Sequence, residues 1–468
     1  MTIWIPDLTD RRGPRYLAIA EALAADRADG RLAAGTRLPT HRDLAYRLGV
    51  TVGTVSRAYA EAERRGLIRG EVGRGTFVQG AEPEQDFRPF TPAAAPPTAG
   101  PDDLVMDLRS NVPAGAFGVD LLSRALSDIA AAPDLVDLMR YQSDTGHPRH
   151  RAAGARLFAT QVPRAETANV LVTNGAQHGL AATLTGMGRA GDTLLTENLT
   201  FPGMTTLAAQ LDRKVRGVAM DAEGLRPDAL DEACRTSDAR VLYTIPYAQN
   251  PTTAVMGPQR RRDIVAVARR HGLTIIEDGI FGLTGGDLAT PMAAEAPDIT
   301  CYILSLSKCV APGLRAGFVL APPDMVDRVA RGVRATAWMA SPLSLEVAAR
   351  WIEDGTIDSF IDWNRREADD RVAMARHHFD GPVLRSAPGC YHVWLALPDT
   401  WTPADLVREA AHRNVLLVGP DVFQANRGPV PPFVRLSLGG ISRPALERSL
   451  AHLAELLAAP PHPDAALL

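Results

Sequence analysis

Six prolines crowd the stretch from Ala81 to Pro101, among Ala, Glu, Thr and Gly and with little apolar periodicity. Proline fixes φ and removes a backbone donor, so this composition reads as an extended linker and not as a packed element. It divides the 468 residues into about 80 ahead of it and about 365 behind it. A small domain at 1–80, a linker at 81–103 and a large domain at 104–458 are expected. The tail from Ala459, APPHPDAALL, is expected to fray.

The two parts differ in charge. Residues 1–80 hold 13 arginines and 9 acidic residues, a balance of +4 inside a chain whose net charge is −4. A basic segment on an acidic body points to a polyanion partner for that segment, with a solvated arginine-rich face as the alternative. Hydrophobic residues at 46% and charged residues at 22% suffice for a sizeable core and exclude a chain disordered throughout. The start, MTIWIPDLTDRRG, has no apolar run behind a basic segment, and no stretch approaches the roughly 20 apolar residues that span a bilayer. A cytoplasmic chain with no membrane partner is expected. Cys234, Cys301, Cys309 and Cys390 form no CxxC pair, which favours buried or idle thiols over a metal site or a disulfide framework.

Within the small part, Pro14 opens a helical pattern with Leu17, Ala20, Leu23 and Ala24 on one face, closing near Gly30. A second helix is predicted from Thr40 to Leu48, a tight turn at Gly49-Val50, and a third helix from Thr51 to Arg65. Leu67-Ile68 and Thr76-Phe77-Val78 flank Gly73-Arg74-Gly75 as a glycine-tipped hairpin. This order is the layout of a winged helix-turn-helix, which puts its second helix in the major groove and its wing on the backbone or minor groove. The stretch from Gly35 to Val78, containing LPTHRDLAYRLGVTVGTVSRAYAEAERRGLIRGEVGRGTFV, resembles the GntR family of bacterial regulators.

That resemblance implies a double-stranded DNA operator as partner. It places Arg42 on a phosphate or base edge, Thr51 and Thr54 at the start of the recognition helix, and Gly73 and Arg74 in the wing. Many members carry an arginine directly after the threonine, where this chain has Val52, and Ser56 stands at another position that is often basic. Base reading then leans on Arg42, Arg57 and Arg74, since an arginine can fork onto guanine O6 and N7. A plain surface charge is the alternative for Arg57.

Beyond the linker, apolar runs alternate with helical stretches: 169–173, 193–196, 241–245, 273–277, 302–305 and 317–320. Such alternation predicts an α/β domain with a mostly parallel sheet and helices on both faces. The chain has only two lysines. Lys214, in the polar run Asp212-Arg213-Lys214, is expected in an exposed turn, whereas Lys308 follows a strand in SLSKCVAPGLRAGFV. An amine that can lose its proton is what an imine requires, and a guanidinium cannot replace it.

The surroundings of Lys308 sharpen this reading. Gly175, Ala176 and Gln177 in TNGAQ end a strand and open a helix, where free N–H groups and the helix dipole receive a phosphate. Asn250 in PYAQNPTT and Asp278 in IIEDGIFG each follow an apolar strand, at the edge where open α/β sheets bind ligands. In order, these residues resemble fold-type I pyridoxal-phosphate enzymes, and with the N-terminal module nearly the whole chain resembles the MocR subfamily of GntR-type regulators.

The resemblance implies pyridoxal 5'-phosphate as cofactor, linked as an imine to Lys308. Asp278 would hold the ring nitrogen's proton, Asn250 would donate to the ring's phenolic oxygen, and Phe201 would stack on the ring. Gly175, Ala176, Gln177, Ser305 and Arg315 would hold the phosphate, joined by Tyr141 of a second subunit in a homodimer. Arg435 in FVRLSLGG would clamp the carboxylate of a substrate or effector. Phe281 stands where related aminotransferases usually have a tyrosine, which removes one donor to the ring oxygen and should let the imine keep its proton to higher pH. The function implied is a regulator in which an amino compound displaces Lys308, forms an external aldimine and alters DNA binding. The alternatives are an active aminotransferase with a vestigial DNA module and a regulator that senses pyridoxal phosphate itself.

Overall fold

A computed structural model describes residues 4–8, 14–29, 31–33, 35–64, 67–71, 75–78, 105–115, 118–379, 381–426 and 428–460. Gly30, Arg65, the expected wing residues Gly73 and Arg74, the whole of the expected linker at 81–103, and 461–468 of the expected tail lie outside the described residues. The chain divides into two compact units, Met1–Pro89 and Phe90–Leu468.

The small unit has three helices and a hairpin. Helix α1 (Arg15–Ala28) starts after Pro14, whose backbone is already extended. Helix α2 (His41–Leu48) is capped by Thr40, whose Oγ1 accepts from the Asp43 amide at 3.2 Å, and it stops at Gly49 with φ of 60°. Helix α3 (Val52–Arg64) begins after Thr51, whose Oγ1 accepts from the Thr54 amide at 3.2 Å. Strands β1 (Ile68–Glu71) and β2 (Gly75–Val78) pair antiparallel with Ile68 opposite Val78. Leu23, Leu44, Val55, Tyr59, Ile68 and Val78 share one core, which joins helices and hairpin into a single body.

In the large unit, seven strands form one sheet: β3 (Val170–Thr173), β4 (Thr193–Glu197), β5 (Lys214–Val218), β6 (Val241–Thr244), β7 (Thr274–Asp278), β8 (Thr300–Ser305) and β9 (Gly317–Leu320). Their order is β3-β9-β8-β7-β6-β4-β5. Only β9 runs antiparallel to its neighbours. Apolar residues point to both faces of the central strands: along β8, Tyr302 and Leu304 join one core while Cys301 and Ile303 join the other. Burial on both sides produces the continuous apolar runs seen in the sequence.

Strand β5 departs from expectation. The polar run around Lys214 predicts an exposed turn; Lys214 is exposed, but it opens the strand at the sheet edge. Only Val218 of β5 is fully buried, so the segment lacks the apolar run that marked the other strands. Beyond the sheet, β10 (Leu384–Arg385), β11 (His392–Ala396) and β12 (Phe433–Ser437) form a smaller antiparallel sheet. The short segment Met106–Asp107 pairs in parallel with Val415–Leu416 beside it. All four cysteines are buried free thiols. Among the described residues, no helix is long and apolar enough to cross a membrane.

Candidate functional site

A cavity of about 620 Å³ opens at the C-terminal ends of the parallel strands. The ends of β6, β7 and β8 bring Asn250, Asp278 and Lys308 to it. After β3 the chain turns at Gly175 (φ 79°) into helix α4 (Ala176–Gly186), which has no side-chain cap, so its first N–H groups remain free for an anion. A Cβ at Gly175 would lie 2.6 Å from the Arg315 guanidinium, which donates to the Asn174 carbonyl at 3.0 Å. Glycine is therefore required both for the turn and for the close approach. Ala176, Gln177 and Arg315 line the cavity, and Gly175, at the turn before α4, does not.

Beyond β6 stands Asn250, and β7 ends on Asp278. Asp278 is 5% exposed; its Oδ2 accepts from the Tyr243 hydroxyl at 2.7 Å and its Oδ1 from the Ile280 amide at 3.2 Å. Burial pushes its carboxyl up to about 6, against the pull of the Tyr243 hydrogen bond. Lys308 follows β8 and donates from Nζ to the Asn111 carbonyl. Burial, aided by the nearby Arg435 charge, lowers its ammonium to about 8, so a free amine is accessible near neutrality.

Arg435, on β12, is 3% exposed, and burial lowers it to about 10. Its Nη1 donates to Asn250 Oδ1 at 2.9 Å, its Nη2 to the Arg109 carbonyl, and its guanidinium lies 4.8 Å from the Phe423 ring centre, while Nε has no partner. Among the described residues neither Asp278 nor Arg435 makes an ion pair. The cavity lining thus holds a buried carboxylate whose nearby cation is the Lys308 amine, and a buried guanidinium with no ion-pair partner among the described residues, an arrangement that a ligand bringing an anion to Arg435 and a ring cation to Asp278 would stabilise.

Phe201, which precedes helix α5 (Pro202–Gln210), and Phe281 line the same cavity. Phe281 is 1% exposed and packs 5.6 Å from the His392 ring. Of the expected phosphate contacts, Gly175 and Ser305 are not among the residues that line the cavity, and Tyr141, expected from a second subunit, is not among them either. Ser305 is the last residue of β8; its hydroxyl bonds with Ser307 Oγ at 2.9 Å, and Ser307, in the turn after the strand, is the serine on the wall. Tyr141 is 83% exposed and lies beside Trp338, away from the cavity of its own chain.

Sequence reasoning missed the segment Asp107–Val112, which crosses the cavity through Asp107, Ser110, Asn111 and Val112. It also missed Tyr243 and Phe423. Residue parity on β6 could have singled out Tyr243; nothing in spacing marks the others. In the small unit, Arg42 and Arg57 are exposed on α2 and α3, and Val52 is 45% exposed at the first turn of α3. Thr51 Oγ1 and Thr54 Oγ1 lie 2.9 Å apart, bonded to each other at the helix start.

The donor set fits pyridoxal 5'-phosphate: an uncapped helix start for an anionic phosphate, Asp278 for a ring cation, Asn250 for a ring oxygen and Lys308 for a carbonyl carbon. Comparison with known proteins agrees. The model for aminotransferase class I and II matches residues 103–453, and that for the gntR family of bacterial regulatory proteins matches residues 15–78. YdeF of Bacillus subtilis, named as an uncharacterized HTH-type transcriptional regulator, is 27% identical over 93% of this chain and 92% of its own. The "Probable rhizopine catabolism regulatory protein MocR" of Rhizobium meliloti is 26% identical over 78% of each chain. Among solved structures, an archaeal alanine:glyoxylate aminotransferase superposes with a TM-score of 0.68 at 21% identity, covering 76% of this chain and 91% of its own. The α-aminoadipate aminotransferase LysN of Thermus thermophilus gives 0.66 at 23%, covering 76% and 92%. The large unit places the chain in the pyridoxal-phosphate-dependent aminotransferase class I and II family, and its fusion to a gntR module makes it a GntR-type transcription regulator of the MocR subfamily.

Proposed function

We propose that the large unit is a sensor for an amino compound and that occupancy of its cavity alters the affinity of the small unit for DNA. The observation that carries this reading is that the buried Asp278 carboxyl, the Lys308 amine and the Arg435 guanidinium, which has no ion-pair partner among the described residues, line one cavity. Bound there, pyridoxal 5'-phosphate supplies an electrophilic carbon and an electron-withdrawing ring.

The chain's own residues do the rest. The free N–H groups at Ala176 and Gln177, with Arg315 and Ser307, would hold the phosphate, Gly175 shaping the turn that presents them and Ser305 bonding to Ser307 behind them. Asp278 keeps a proton on the ring nitrogen, Asn250 orients the ring oxygen, Phe201 covers the ring face, and Lys308 supplies the amine that an incoming amino group replaces. Arg435 orients the incoming carboxylate with its two-pronged donors, and the apolar Phe281 and Phe423 exclude water. Arg42, Thr51, Thr54 and Arg57, with Gly73 and Arg74, form the DNA-facing set, and the 81–103 stretch joins the units.

A homodimer completes the scheme. Val119, Leu122 and Leu126 on one helix, Val136 and Met139 close in sequence to Tyr141, and Trp338 packed beside the Tyr141 ring are exposed apolar side chains suited to a second copy, which would bring Tyr141 to its partner's phosphate. Two DNA modules would then meet paired half-sites in the cytoplasm.

The test is to follow visible absorption of the cofactor-loaded protein while titrating amino acids and diamines and assaying keto acid in the same tubes. A stable new band without keto acid supports sensing. Catalytic accumulation of keto acid favours an aminotransferase and contradicts it.

A further inference from the structure

Asp278 has a dedicated partner that the cofactor residues do not include. In the parallel pairing of β6 with β7, Tyr243 lies opposite Ile276. Side chains two residues apart on a strand share a face, so Asp278 projects on the same side as Ile276, one step further along. Tyr243 therefore reaches diagonally between strands, and its hydroxyl meets Asp278 Oδ2 at 2.7 Å. Both groups are sealed: Tyr243 is 0% and Asp278 5% exposed. The Tyr243 ring is held in the apolar layer beneath helix α4 by Ala176, Leu180 and Ile303, so the hydroxyl has little freedom to turn elsewhere.

The direction of this hydrogen bond is settled by chemistry. Burial beside Asp278 and Glu197 holds the Tyr243 hydroxyl far above its ordinary value, so it stays protonated and donates. A donor to one carboxylate oxygen favours the ionised form of Asp278, whereas burial alone would favour the neutral form. From this geometry we infer that Tyr243 is a positioning residue that keeps Asp278 ionised and aimed at the cavity, so that the site selects a ligand ring carrying a protonated nitrogen. This rests on the proposed cofactor reading. A phenylalanine would fill the same volume and leave the carboxylate with only the Ile280 amide.

The test compares cofactor affinity of the wild-type protein with that of Tyr243→Phe, Asp278→Asn and the double variant, each with pyridoxal 5'-phosphate and with its 1-deaza analogue, whose ring has C–H in place of nitrogen. Thermal unfolding of the cofactor-free proteins reports on folding. Tyr243→Phe is expected to weaken pyridoxal 5'-phosphate by about ten- to a hundredfold, the range for one hydrogen bond to a charged group. The analogue should bind wild type and Tyr243→Phe alike, and Tyr243→Phe should add nothing in the Asp278→Asn background. Equal losses for both ligands, or additive losses in the double variant, would reduce Tyr243 to a packing residue and overturn the inference. Wild-type protein that binds neither ligand would overturn the cofactor reading and this inference together. Tight wild-type binding unchanged by Tyr243→Phe would overturn this inference alone.

Discussion

The Lys308 amine donates to the backbone carbonyl of Asn111, and so joins the loop after β8 to the stretch 105–115. Arg435 grips the same segment two residues earlier, through the Arg109 carbonyl. The two side chains expected to engage cofactor and carboxylate are thus the two that hold 109–111, within the first described stretch after 79–104. Occupancy of the cavity by both should free this segment. Hydrogen–deuterium exchange at the amides of 109–112 is predicted to rise when cofactor and an amino acid are both bound; unchanged or slower exchange would count against a role for the segment in signalling.

The lowered Lys308 ammonium gives cofactor uptake a definite pH profile. The neutral amine is the reactive form, so the uptake rate, followed by visible absorption, should climb through a midpoint near 8 instead of near the ordinary lysine value. Arg435→Leu removes a like charge and should move that midpoint upward. A midpoint that stays put would mean that desolvation alone sets it.

Gly175→Ala combines an unfavourable φ with a Cβ 2.6 Å from Arg315. Its strain is about 1–3 kcal/mol, and displacement of the guanidinium should weaken cofactor binding by at least about tenfold. Isothermal titration with pyridoxal 5'-phosphate checks this, and near-wild-type affinity would remove Gly175 from the phosphate site.

His392 should make the fold acid-sensitive. It is fully buried, and burial and the Arg435 charge depress it to about 3. A depressed value means that the unfolded chain takes up the proton first, so stability is complete above about 6.5 and falls as the pH drops toward 3. His392→Gln should flatten this dependence in urea denaturation between pH 7.5 and 5. An equally steep slope in the variant would assign the acid sensitivity to other groups.

Much of the site was legible in the sequence because strand ends dictate it. Gly175, Asn250, Asp278 and Lys308 follow buried strands whose apolar runs are visible in one dimension, and the sheet brings those ends to one edge. What was hidden depends on side-chain direction or distant pairing. Ser305 and Ser307 differ by two residues around a turn, and only the turn decides which one meets the cavity. Asn111 reaches Lys308 because Met106–Asp107 pairs beside Val415–Leu416, a contact across some three hundred residues that no local pattern announces. Strand β5 was missed because its exposed edge position left it polar.

DNA binding itself measures the central claim most directly. Cofactor-loaded protein, with an operator obtained by in vitro selection, should change its DNA affinity by about 5- to 150-fold, the usual range for coupled sites, when the amino compound that shifts its visible band is added. Lys308→Ala should bind the same DNA with an affinity indifferent to that compound. Equal affinity of the wild-type protein with and without the compound, in tubes where the band has shifted, would contradict the account.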